Sequence, residues 1–246
     1  MPLGIPLVPI TFPLERDRTF PPERDRDDEN ESVVWIDLYD ALYESKLLFL
    51  CRDIDTEVTN HLVALFMYLN GHETSTDFTL FINSPGGWVV SGMSIFNVMQ
   101  AVTSDVRTIC VGMAASMASF LLATGNSFKR FAFPHARIMI HQPHAHFSND
   151  DYDDDYDDDD YGDDDYGDVD YGDDDDAAPM DDLESLLSEV DELAVLQETI
   201  ACIYAKKTGQ PLETILEDLE RDFYMSATEA QAYGIIDVVG KARSKK

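Results

Sequence analysis

Short apolar runs alternate with stretches of helical period through the middle of this chain. Leu47-Leu-Phe-Leu50 and Phe78-Thr-Leu-Phe-Ile82 are uniformly apolar and too short for amphipathic helices, so each predicts a buried strand. Between them, Leu62, Leu65, Phe66 and Leu69 recur at helical spacing and the pattern stops at Asn70-Gly71, which predicts a helix over residues 58–69. The second strand ends in the turn Asn83-Ser-Pro-Gly-Gly87, and a helix is expected from there to about Val102. Thr108-Ile-Cys-Val111 predicts the next strand, a helix follows from about Ser116, and Arg137-Ile-Met-Ile140 predicts a strand that delivers His141. Farther on, Leu183, Leu186, Leu187, Val190, Leu193, Leu196, Ile200, Ile203 and Tyr204 share one face of a long helix that starts at about Met180 and ends at Lys206-Lys207-Thr-Gly209. Residues 212–219 and 227–233 predict two shorter helices, and residues 235–239 a final strand. Repeated strand–helix alternation implies an α/β fold.

Two stretches break the pattern. Residues 1–32 are rich in proline and charge, and Thr11-Phe-Pro-Leu-Glu-Arg-Asp-Arg18 is followed at once by the near-copy Thr19-Phe-Pro-Pro-Glu-Arg-Asp-Arg26. Such a composition buries too little to fold alone and predicts a mobile N-terminal arm. Residues 148–179 are a degenerate repeat of Asp, Tyr and Gly, whose like-charge repulsion predicts a disordered, solvated loop. Helical and strand patterns resume after it, so the acidic loop is read as an insertion within one domain spanning residues 33–246.

Charge alters the picture mainly through that loop. Of a net −32, 18 negative charges are aspartates between Asp150 and Asp176, leaving −14 for the rest. An acidic surface argues against nucleic acid and anionic membranes as partners, because both demand basic patches. Cys51, Cys110 and Cys202 are odd in number and widely spaced, which predicts a reducing compartment rather than a disulfide framework. No stretch of about 20 apolar residues predicts a membrane span. The opening Met1-Pro-Leu-Gly-Ile-Pro matches neither a signal peptide nor a transit peptide, so the protein is expected to be cytosolic or made where it works.

Three places carry candidate chemistry. Gly112-Met-Ala-Ala-Ser116-Met-Ala-Ser follows a buried strand, and small neighbours at a helix start suit either an exposed nucleophile or a simple cap. Asn83-Ser-Pro-Gly-Gly87 is either an ordinary turn or a backbone that approaches a ligand and offers N–H groups. It is not a phosphate loop, since G-x-x-x-x-G-K-[ST] occurs nowhere, and any dependence on ATP must come from a partner. His141 is structural or a general base, and either Asp218 or Asp222 is eligible to orient its imidazole.

Asn83-Ser-Pro-Gly-Gly87, Gly112-x-Ala-Ala-Ser116, Met139-Ile-His-Gln-Pro143 and Glu220-Arg-Asp-x-x-Met-Ser-Ala227 occur in the order and approximate spacing of the Clp protease proteolytic subunits, the ClpP family. The chain resembles that family over roughly residues 33–147 and 180–240. Its opening residues, with Trp35-Ile-Asp-Leu-Tyr and Phe133-Pro-His-Ala-Arg137, are similar to the plastid-encoded branch, which implies the chloroplast stroma. The resemblance implies a crotonase-like α/β fold in seven-membered rings stacked face to face, and an ATP-dependent serine endopeptidase acting on unfolded proteins. By that resemblance Ser116 is the nucleophile, His141 the general base and Asp222 its orienting carboxylate, with the Gly87 and Met117 N–H groups as oxyanion hole. No cofactor or metal is implied. The partners implied are other ClpP-family subunits and a Clp ATPase chaperone, which spends the ATP.

The chain also departs from the family. The acidic repeat occupies the handle region that joins two rings, so its charges are expected to oppose stacking and to favour single or mixed rings. The arm at residues 1–32 falls where the family forms its axial gate. Ala101 and Thr79 stand where many relatives carry aromatics of the ATPase-docking pocket. The alternatives are a catalytically silent ring subunit, disfavoured by three intact triad residues, and a metal site built from His141, His144 and His146 with nearby carboxylates.

Overall fold

The computed structural model describes residues 6–11, 33–71, 76–143 and 181–240. In chain order the elements are β1 (Leu7–Thr11), β2 (Val33–Asp37), α1 (Leu38–Glu44), β3 (Leu47–Leu50), α2 (Thr56–Asn70), β4 (Phe78–Ser84), α3 (Val89–Ala101) and β5 (Val106–Ala115). There follow α4 (Met117–Thr124), β6 (Arg130–Ala132), β7 (Arg137–Ile140), α5 (Asp181–Thr208), α6 (Leu212–Leu219), β8 (Phe223–Ser226), α7 (Ala227–Tyr233) and β9 (Val238–Val239). The chain divides into two compact units, Met1–Gln142 with Ala201–Lys246, and Pro143–Ile200. Within the second unit lies the first part of α5.

In the larger unit the strands β3-β4-β5-β6-β9 form a parallel sheet, and β7 branches from β5. One face of this sheet is sealed: Leu48, Leu50, Leu80, Ile82 and Cys110, set side by side by the parallel register, are inaccessible, whereas Phe49, Phe81 and Ile109 on the opposite face are half-buried and Val111 and Met113 are exposed. Helix α2 buries Leu62, Phe66 and Leu69 of the stripe the sequence predicts, with Thr59 added and Leu65 only half-buried, and Asp55 caps it by accepting from the Val58 N–H at 2.7 Å. Every residue of α4 is buried, which suits a helix apolar on all sides in the centre of a domain.

β5 is longer than its apolar core suggests, and it forks. Thr108, Ile109 and Cys110 pair with β6, whereas Met113, Ala114 and Ala115 pair with β7. Against β4 the register jumps from Ile82↔Cys110 to Ser84↔Ala114. Asn83 fills the jump, its Oδ1 accepting from the Met113 N–H at 3.0 Å. The far end of β7 pairs antiparallel with β8.

Several elements differ from the sequence expectation. Leu7–Thr11, within the segment read as an arm, is a strand paired with β2, while most of residues 1–32 lie outside the described residues. The strand expected over 235–239 shrinks to β9, because Gly234 adopts a left-handed conformation that ends α7 and turns the chain, leaving Ile235 and Ile236 buried without a ladder. The acidic repeat of residues 148–179 lies outside the described residues.

Arg130 ties the ends of several helices together. Its guanidinium grips Asp237 through Nε–Oδ2 (3.0 Å) and Nη2–Oδ1 (2.6 Å), and its Nη1 donates to the carbonyls of Ala123, Lys207 and Gly234. Burial alone would raise the Asp237 carboxyl's pKa, but the bonds from Arg130 outweigh it and hold it below the usual range. An Arg130→Met variant should lose about 3 kcal/mol, read from the urea midpoint, because a mostly buried carboxylate loses its cation and keeps only backbone N–H donors. Since the folded pKa of Asp237 is lowered, this contribution is complete above its unfolded value of about 3.9 and fades as pH falls through the folded value.

Candidate active site

The C-terminal ends of three strands converge where β5 forks. β5 delivers Ser116, β4 delivers Gly86 and Gly87, and β7 delivers His141, the end of a parallel sheet at which ligands characteristically bind. Asp222 needs no separate explanation. β7 and β8 pair as Ile140↔Phe223, so the next antiparallel pair outward is His141 with Asp222.

Ser116 occupies the N-cap position of α4, yet its side chain does not cap the helix. Its hydroxyl instead lies 2.9 Å from Nε2 of His141. The backbone there has φ 54° and ψ −128°, rare for a residue with a side chain and worth about 1–3 kcal/mol of strain. The Ser116 N–H donates to the Met139 carbonyl at 2.9 Å, so β7 holds the turn that carries the hydroxyl. A serine on a sharp strand-to-helix turn presents its Oγ clear of its own backbone.

On the other side of the imidazole, Nδ1 is 3.1 Å from Oδ1 of Asp222. An ionised carboxylate only accepts, so it favours the proton on Nδ1 and leaves Nε2 to accept from the Ser116 hydroxyl. His141 is mostly enclosed, with 18% of its side chain exposed, while Asp222 retains 55%. Asp218, the other eligible carboxylate, is engaged elsewhere and accepts from the Tyr233 hydroxyl at 2.8 Å.

The Gly86-Gly87 turn packs directly on Ser116. Ile54 donates to the Gly86 carbonyl (2.8 Å) and accepts from the Trp88 N–H (2.9 Å), so the N–H of Gly87 faces away from Ile54. Gly86 has φ 104° and Gly87 φ 149°, and a Cβ on Gly87 would lie 2.3 Å from the Ile54 carbonyl oxygen. A Cβ on Gly86 would stand 2.7 Å from Cβ of Ser116 and 3.1 Å from the Met117 nitrogen. Met117 opens α4, where the first N–H groups lack helical acceptors. Among the described residues, neither the Gly87 nor the Met117 N–H donates to a backbone carbonyl.

Ser116, His141 and Asp222 are therefore brought into one line, the hydroxyl hydrogen-bonded to Nε2 and the carboxylate 3.1 Å from Nδ1, with the Gly86-Gly87 turn and the first residue of α4 packed beside it. Gly86 and Asn83 are positioning residues that the residue-by-residue reading did not single out. The expected Gly-rich turn held the signal for Gly86, whereas nothing local reveals that Asn83 would pin β5. His144 and His146 lie outside the described residues, and among the described residues no group of three or more His, Cys, Asp or Glu is placed to hold a metal.

A family model for Clp protease matches residues 29–156 and 179–243. The chain belongs to the Clp protease family. It is 43% identical over 239 residues to chloroplastic ATP-dependent Clp protease proteolytic subunit 1 of Arabidopsis thaliana, covering 97% of this chain and 98% of that one. Proteins described as ATP-dependent Clp protease proteolytic subunit are similarly close, at 42% identity in Lepidium virginicum (97% and 98% covered) and 43% in Illicium oligandrum (97% and 96% covered). Within this Clp protease chain the family match omits residues 157–178, which fall inside the Asp/Tyr/Gly repeat. All four motifs that frame the site lie within the matched segments.

Proposed function

We propose that this chain is a serine endopeptidase subunit of a plastid Clp protease, working in the stroma. The observation that carries the reading is the line from Ser116 Oγ through His141 to Asp222, 2.9 and 3.1 Å long. His141 Nε2 takes the proton as Ser116 Oγ attacks a peptide carbonyl. The oxyanion that forms accepts from the Gly87 and Met117 N–H groups. His141 then protonates the departing amine, leaving an acyl-enzyme, and activates the water that releases the peptide. Asp222 keeps the imidazole in the useful tautomer and stabilises it when protonated. These residues perform acyl transfer without a cofactor of their own. Unfolded chains are the substrate class. The ATP in the relatives' names is assigned to a partner ATPase, consistent with the lack of a phosphate loop in this sequence. Other family subunits are proposed to complete the ring, and the single domain interrupted by the acidic insertion remains the proposed organisation.

The test is covalent. A fluorophosphonate incubated with the folded protein should add its mass to the peptide carrying Ser116 and abolish hydrolysis of a short fluorogenic peptide. Labelling of another serine, or hydrolysis that survives complete labelling, would remove Ser116 from the mechanism. No labelling and no hydrolysis, with or without family subunits added, would instead make the chain a silent ring component.

A further inference from the structure

The strained turn at Ser116 is held from beneath by a buried pair of hydroxyls. The Ser116 carbonyl accepts from the Ser119 N–H at 3.0 Å and the Phe120 N–H at 3.2 Å, the ordinary bonds of a helix start. It accepts a further bond from Ser119 Oγ at 2.6 Å. Ser119 Oγ is in turn 2.9 Å from the hydroxyl of Tyr204 on α5. With its single proton committed to the Ser116 carbonyl, Ser119 must accept from Tyr204, so all donation runs toward Ser116. Ser119 is 0% and Tyr204 2% exposed, and burial pushes the Tyr204 phenol's pKa far up, so its proton stays in place.

The Ser116 carbonyl and the Met117 N–H belong to one planar trans peptide and point in opposite directions. Holding the carbonyl oxygen therefore fixes where the Met117 N–H aims. Donation into that oxygen also polarises the peptide, and chained hydrogen bonds strengthen one another. We infer that Ser119 and Tyr204 are positioning residues for catalysis, forming a relay that aims and strengthens the Met117 N–H as an oxyanion donor. The inference rests on the proposal that Ser116 is the nucleophile. Neither residue touches substrate; each acts through the peptide between Ser116 and Met117.

The full-length protein, Ser119→Ala, Tyr204→Phe and their double variant are compared for kcat and KM on a fluorogenic peptide, and for the Kd of a peptide boronate. The boronate forms a tetrahedral adduct whose oxygen occupies the oxyanion position, so it senses the donor without turnover. Ser119→Ala should lower kcat about 10-fold and weaken the boronate by a similar factor with KM little changed, less than the loss of an entire donor. Tyr204→Phe should cost about 3-fold, because Ser119 keeps its bond to Ser116. The double variant should match Ser119→Ala rather than multiply the two losses, since both act through one relay. A merely structural role would lower the urea midpoint while leaving kcat and boronate affinity within about twofold of wild type, and that result, or multiplied losses, overturns the relay. Ser116→Ala is run alongside. If it hydrolyses peptide as wild type does, or wild type neither hydrolyses peptide nor binds boronate, the nucleophile assignment has failed and the relay falls with it.

Discussion

Replacing Ser116 with alanine is expected to lower kcat on a short peptide by about 10⁶-fold, to the residual that binding and the oxyanion donors supply alone. The loss should be chemical and not structural. The hydroxyl does not cap α4, so the helix start keeps its bonds. Alanine meets the same backbone strain as serine at φ 54°, and the Met139 carbonyl still receives its N–H. The unfolding free energy read from urea titration should therefore change by less than about 1 kcal/mol, the ordinary range for a substitution that opens no core cavity. Adding His141→Ala should make little further difference, because nucleophile and base act as one unit. A Ser116→Ala protein within tenfold of wild-type activity would place the chemistry elsewhere.

The second large effect is expected at Gly86. At φ 104° an alanine is strained, and its Cβ would approach the Ala115 carbonyl oxygen and Ser116 Cβ to 2.7 Å and the Met117 nitrogen to 3.1 Å. None of these is the loose end of a flexible side chain, so either the turn or the nucleophile must shift. The turn carries one proposed oxyanion donor and Met117 the other. Gly86→Ala should thus reduce kcat by about 10²–10³-fold, the scale of losing one such donor. Gly209→Ala provides the control. It also sits at positive φ, 80°, but nothing lies within 4 Å of its added Cβ. Its cost should be backbone strain of about 1–2 kcal/mol with kcat unchanged. Equal kcat in the two variants would show that the Gly86 turn is not part of the oxyanion site.

Elements that bury a face wrote themselves into the sequence, as the apolar runs of β3 and β4 and the stripe of α2 show. Those that depend on distant partners did not. β6 is three residues long and holds a buried arginine whose ion pair is 107 positions away. β8 has only one fully buried residue, Met225, and exists because β7 offers it an edge. At the site, sequence chemistry left Ser116 as nucleophile or cap and left Asp218 and Asp222 equal. Family likeness chose between them. Geometry supplies the physical reason: the Ser116 hydroxyl turns to His141 instead of capping, and Asp218 is occupied by Tyr233. The Asn83 bond to Met113 was invisible because a register jump is a property of two strands together.

The pairing of β7 with β8 also bears on how this sequence came to tolerate its aspartate repeat. What stands opposite His141 is decided by ladder arithmetic alone: a slip of one residue would offer Arg221 or Phe223 in place of Asp222 and turn the side chains to the wrong face. Residues inserted between the two strands leave that arithmetic untouched. They lengthen a connection whose closure cost rises only with the logarithm of its length, about 0.6 kcal/mol per doubling. The repeat at 148–179 lies wholly within this stretch. Repeat expansion there is nearly neutral for the proposed triad, whereas one residue gained inside Arg137–Ile140 or Phe223–Ser226 would disassemble it.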